Sequence, residues 1–165
     1  MPDPTTIHDT FTLERHYPTP PARVFAAFAT PTKKRRWYAE GDNHDIEMFE
    51  MDFRVGGAER LLYRFAADHA LAGVALVNES TYQDIVPDRR IVTTSAMTVG
   101  GARISVALVT IELSPADGGT TLLLTHQAAF FEGSDGPRRR EGGWHALLDK
   151  LATELTGRAE PAPKG

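Results

Sequence analysis

The stretch Gly142-Gly143-Trp144-His145-Ala146-Leu147-Leu148-Asp149-Lys150-Leu151-Ala152-Thr153-Glu154-Leu155 constrains the fold more than any other. Trp144, Leu147, Leu148, Leu151 and Leu155 fall at helical spacing and form one apolar stripe. His145, Asp149, Lys150 and Glu154 fall largely on the other side. Such a stripe is stable only when buried against another element. Most of the chain before it alternates as strands do, so the expected partner is a sheet. The functional question becomes what lies between that helix and that sheet. The pattern points to a cavity and does not name its ligand.

The chain in order supports this. Phe11-Thr12-Leu13-Glu14-Arg15-His16-Tyr17 has period two, the mark of a strand with one buried face. Pro18-Thr19-Pro20-Pro21 ends it, and Pro21 suits the first turn of a helix. Residues 22–29 and 32–38 read as two short helices, separated by Thr30-Pro31. Strands follow over 45–55, 59–65 and 73–86, with Gly56-Gly57 marking a turn between the first two. Strands 90–99 and 102–113 meet at Gly100-Gly101, a hairpin signal. Ser114-Pro115-Ala116-Asp117-Gly118-Gly119 turns the chain into a last strand, 120–128. A Gly-rich loop over 130–137 precedes the long helix. The expected architecture is α+β: a curved seven-stranded antiparallel sheet wrapped on one long helix, two short helices closing one end. Residues 1–10 read as a loose segment, 11–156 as a single domain and 157–165 as a frayed tail.

Composition narrows the function. The chain has no cysteine, which excludes disulfides, thiol catalysis and cysteine-ligated metals. A net charge of −4 argues against a general nucleic-acid binder, which needs a basic surface. Two basic runs, Lys33-Lys34-Arg35-Arg36 and Arg138-Arg139-Arg140, read as solvated helix faces. No apolar run approaches the roughly 20 residues of a membrane helix, and the start of the sequence has no secretory pattern, so a cytoplasmic location is expected. No nucleophile motif, metal-ligand spacing or phosphate loop is present, and no cofactor is called for. The residues lean away from an enzyme.

Four stretches carry a family resemblance. They are Pro21-Ala22-Arg23-Val24-Phe25-Ala26-Ala27-Phe28 with Trp37; Asp52-Phe53-Arg54-Val55-Gly56-Gly57; Thr81-Tyr82-Gln83-Asp84-Ile85-Val86-Pro87-Asp88-Arg89-Arg90-Ile91; and Gly143-Trp144 with Leu148-Asp149 and Leu151. Between residues 11 and 155 the chain resembles the helix-grip superfamily called START-like, Bet v 1-like or SRPBCC. More narrowly it resembles bacterial proteins related to the activator of the 90-kDa heat-shock protein ATPase. The resemblance implies a helix-grip fold with an internal pocket for a small apolar ligand: lipid-like, aromatic or polyketide-like. The family often carries two tryptophans where this chain has Trp37-Tyr38.

The expected cavity wall comes from inward positions. On the first half of the sheet these are Phe49, Met51, Phe53, Leu61, Tyr63 and Phe65, with Val55 continuing the first set. On the second half they are Ile111, Leu122, Leu124, His126 and Phe130. The helices add Trp37, Trp144, Leu147, Leu148 and Leu151. His126 lies in phase with Leu122 and Leu124 and is expected to face inward, where a histidine either orients a ligand or serves the core. Asp52 and Arg54 are expected to form a structural ion pair beside the glycine turn. Gly142 and Gly143, with the loop before them, read as an entrance or as a way for the helix to approach the sheet. The leading reading is a carrier or sensor of a small apolar molecule. A cyclase or hydrolase using His126 or Tyr63 as acid–base groups is the alternative. A co-chaperone-like role follows only from the family name, and no chaperone-binding surface is marked in the sequence.

Overall fold

The computed structural model describes residues 5–157. The expected tail beyond 157 and the first four residues lie outside the described residues. The chain runs β1 (Ile7–Tyr17), α1 (Pro21–Ala29), α2 (Pro31–Lys34) and a π-helical turn (Arg35–Ala39). It continues as β2 (His44–Met51), β3 (Ala58–Phe65), β4 (Ala75–Val86), β5 (Arg90–Val99), β6 (Ala102–Ala116), β7 (Gly119–Phe130) and α3 (Pro137–Thr156). The seven strands form one antiparallel sheet in the order β1-β7-β6-β5-β4-β3-β2. This is the α+β helix-grip architecture expected from the alternation and the single long stripe.

The core sits where β1, β7 and β6 meet α3. Phe11, Leu13 and Tyr17 are the buried alternate positions of β1. Leu13 faces Leu124 on β7, which faces Ile111 on β6. One buried row therefore crosses three strands. Leu148, Leu151 and Leu155 of α3 close against this end and are almost fully buried. Tyr17 ties strand to helix through its hydroxyl, which donates to the Leu148 carbonyl at 2.9 Å. Val24, Ala27 and Phe28 of α1 pack on the same core, and the Trp37 indole N–H donates to the Ala27 carbonyl at 2.9 Å.

Several expectations are corrected. β1 begins at Ile7, so residues 7–10 belong to the sheet rather than to a loose segment. β2 stops at Met51, before Phe53 and Val55. The chain turns there because Asp52 N–H bonds the Ala58 carbonyl and Gly57 N–H bonds the Arg54 carbonyl, both at 2.8 Å. A Cβ on Gly57 would lie 2.0 Å from the Asp52 carbonyl oxygen, so only glycine fits. Val55 consequently points to solvent, 56% exposed. Phe53 packs beside Phe25 and Tyr82 instead of on the sheet. The expected Asp52–Arg54 ion pair is present at 2.8 Å, on the surface.

β2 also carries a bulge between Ile46 and Met48. One extra residue shifts the pleat, so Ile46 opposite Tyr63 and Phe49 opposite Leu61 share a face although their spacing is odd. The long helix starts five residues earlier than the stripe indicated. Gly136, at φ +81°, leads into Pro137 at the first helical position. Gly142 and Gly143 are interior to α3 and do not form its start.

Candidate functional site

A cavity of about 360 Å³ lies between α3, the π-helical turn and the inner face of the sheet. Its apolar wall includes Phe28, Leu61, Leu76, Ile91, Val109, Ile111, Trp144 and Leu147. The volume falls in the range of small-molecule sites, which are mainly apolar with a few placed polar groups. Here the polar groups are numerous.

The floor is polar at its centre. On β4 the inward series is Leu76, Asn78, Ser80, Tyr82; on β5 it is Ile91, Thr93, Ser95, Met97. Ser80 and Ser95 stand directly opposite each other, and Asn78 and Thr93 are each two residues away along their strands. The hydroxyls of Ser80, Thr93 and Ser95 border the cavity and bond to none of the described residues. Asn78 Nδ2 donates to the Tyr38 hydroxyl at 2.8 Å, and its Oδ1 is buried with no partner.

Two ion pairs with buried cations flank this floor, and both correct the reading of the basic runs as wholly solvated. Lys34 is 8% exposed and bonds Glu59 Oε1 at 2.6 Å. The Tyr82 hydroxyl donates to the same oxygen, and the Lys34 ammonium sits 4.6 Å from the centre of the Tyr38 ring. Burial, then the neighbouring Glu59 carboxylate, pushes the acidities of Tyr38 and Tyr82 far out of the physiological range, so both keep their protons. At the opposite end Arg140, also 8% exposed, grips Asp135 through two bonds of 2.8 Å. The same guanidinium donates to Ser105 Oγ at 3.0 Å and lies over the Phe130 ring. Burial raises the Asp135 pKa, but the Arg140 hydrogen bonds and charge outweigh it and hold it below the usual carboxylate value.

His126 faces the cavity from β7, its ring stacked on Phe11 at 4.6 Å. It is 1% exposed, and its Nδ1 has no hydrogen-bond partner. Burial first, and the Arg140 charge second, lower its pKa to about 4. The ring is therefore neutral at neutral pH. Tyr63, also lining the cavity, stacks on His44 and has its pKa raised by burial.

Of the residues expected to line a ligand site, Leu61, Tyr63, Ile111, His126, Trp144 and Leu147 border this cavity. Trp37 lies behind it, held against Phe28. Leu122, Leu124, Leu148 and Leu151 fill the closed core instead, because α3 touches the sheet directly at that end. Phe130 is covered by Arg140. Phe49, Met51, Phe53 and Phe65 sit to the side; Phe65 stacks on His69. Sequence reasoning missed the Asn78–Ser80 and Thr93–Ser95 pairs, whose signal was the polar step within two alternating strands. Among the described residues no group of three or more His, Asp or Glu side chains is arranged to hold a metal ion. No described helix is long and apolar enough to cross a membrane.

A single long helix gripped by a curved antiparallel sheet over an internal cavity defines a START-like, SRPBCC-class protein. The chain belongs to the family described as Activator of Hsp90 ATPase homolog 1-like protein, which matches residues 18–156. Among solved structures, an uncharacterized protein from Rhizobium leguminosarum is 35% identical with a TM-score of 0.84, over 93% of this chain and 97% of its own. The Mll3558 protein from Rhizobium loti is 44% identical with a TM-score of 0.78, over 92% of this chain and 99% of its own. The AHSA1-like protein from Aeromonas hydrophila, 18% identical with a TM-score of 0.67 over 95% of this chain and 99% of its own, shares the fold. No curated protein matches the chain.

Proposed function

We propose that this protein binds a small oxygenated molecule, its apolar body held between α3 and the sheet and its polar group on the Asn78–Ser80–Thr93–Ser95 floor. The observation that carries the reading is that floor. Three hydroxyls bordering the cavity and a buried Asn78 Oδ1 have no partner among the described residues. An unsatisfied buried polar atom costs about 1–3 kcal/mol, so a cluster of them is retained more readily where a ligand supplies the partners. The apolar wall supplies the affinity: burying roughly 200 Å² of a bicyclic aromatic body contributes about 5 kcal/mol before the costs of association. This adds a defined place for a polar group to the lipid-like, aromatic or polyketide-like ligand that the family resemblance implies.

Two measurements test it. Native mass spectrometry of protein purified from its own host is expected to show a stoichiometric small molecule bearing hydroxyl or carbonyl groups. A neutral probe, hydroxynaphthamide, is expected to bind the purified protein and to lose affinity at least ten-fold in Leu147→Trp, which fills the cavity. A Leu147→Trp variant that is folded and binds the probe unchanged would sink the proposal.

A further inference from the structure

The charges around the cavity do not cancel. Glu59 is neutralised by Lys34, and Asp135 by Arg140. Glu40 is paired with Arg35, which lies outside the cavity. Two cations of the lining, Lys150 and Arg139, form no ion pair among the described residues, although Lys150 lies in the field of the Glu40 and Asp42 carboxylates. Lys150 donates to the Glu40 carbonyl oxygen. Arg139, an exposed residue, bonds to no described residue and borders the cavity beside Asp135 and Arg140. Arg139, Gly143, Leu147 and Lys150 follow one another along the helix at intervals of four, four and three residues, one face of α3. That face is apolar at its centre and cationic at both ends. At the Arg139 end the lining holds two guanidiniums and one carboxylate, Asp135, and Arg140 takes both of its oxygens. His126, whose unpartnered Nδ1 is fully buried, borders the same cavity within the electrostatic reach of Arg140.

We propose that the ligand is an amphipathic anion whose carboxylate is received by Arg139 at this end of the cavity. The inference rests on the cavity reading above and adds the sign of the ligand's charge and the place where it is read. A guanidinium presents a planar fork that matches a carboxylate in two hydrogen bonds, and Arg139 is the one guanidinium of the described lining with its fork unused. A cationic ligand would bring its charge against the unpaired Arg139, and a neutral one would leave that guanidinium to water.

The experiment is a calorimetric titration of the full chain with three probes of one shape: hydroxynaphthoate, hydroxynaphthamide and hydroxynaphthylmethylamine. The acid is expected to bind about ten-fold tighter than the amide at low salt, and the amine weakest. The preference should shrink near 1 M salt, where the screening length is only about 3 Å. Arg139→Gln should bring acid and amide level, and Arg139→Glu should favour the amine. Lys33→Gln, an equal charge change on the exposed outer side of α2, should leave the preference intact. Equal binding of acid and amide, or an acid preference that survives Arg139→Gln, overturns the proposal while leaving the cavity reading standing. Failure of all three probes, the neutral one included, overturns both.

Discussion

His126 makes the stability of this protein depend on pH in a direction that can be calculated. Its folded pKa is about 4, against an ordinary value of 6.5. The neutral ring is therefore favoured by folding, and the unfolded chain takes up the proton first as pH falls. Between pH 6.5 and 4 the unfolded state binds more protons, so stability is full above that window and declines through it. A displacement of about 2.5 units at 1.36 kcal/mol per unit corresponds to roughly 3 kcal/mol, of which about 2 kcal/mol is lost by pH 5. The test is urea denaturation at pH 7 and pH 5 of the native chain and of His126→Phe. Phenylalanine keeps a flat ring between Phe11 and Phe130 and removes both the titration and the unpartnered Nδ1. The variant is expected to lose about 2 kcal/mol less than the native protein over that interval, all other titrations being common to both. Identical losses in the two proteins would refute the assignment.

Three further outcomes are expected. Lys34→Met strands Glu59 in a site where its side chain is 5% exposed and should cost about 3–5 kcal/mol, most of it recovered in the double variant Lys34→Met with Glu59→Gln, measured by the same denaturation. Gly142→Ala should stabilise by about 0.5–1 kcal/mol, because Gly142 is interior to α3 and a Cβ there meets nothing within 4 Å; a calorimetric melting curve shows the sign. Gly119→Ala should destabilise by about 1–3 kcal/mol, since its Cβ would lie 2.1 Å from the Tyr17 carbonyl oxygen and force β1 and β7 apart.

The fold was legible because it rests on periodicity. The alternation of Phe11, Leu13 and Tyr17, and the stripe through Leu148, Leu151 and Leu155, report burial that the structure realises. Where the pattern misled, a local event had changed its phase. The β2 bulge places Ile46 and Phe49 on one face at an odd interval, which simple alternation cannot show. Gly142-Gly143 looked like a boundary because glycine is a poor helix former, whereas the effective signal was Gly136-Pro137. The site was less legible than the core. Lys34 and Arg140 stand in basic runs whose other members are largely exposed, and nothing local marks one cation as buried. What singles Lys34 out is Glu59, 25 residues away in sequence and adjacent only once β3 is in place. The hydroxyl floor was encoded in strands β4 and β5, but a serine or threonine in a strand is ambiguous until the face it occupies is known to border empty space.

The π-helical turn has a consequence for how this cavity can change. Its closing bond runs from Glu40 N–H to the Arg35 carbonyl, five residues apart, so the turn holds one residue more than an α-helix would. That surplus residue lets neighbours do different work: Trp37 is sunk in the core, while Lys34 and Tyr38 line the cavity. Removing one residue would restore α-helical winding and rotate one flank against the other by about 100°. Loss or gain of a single codon at this point is thus a mutational shortcut that re-equips the cavity in one step, with every strand of the sheet left as it was.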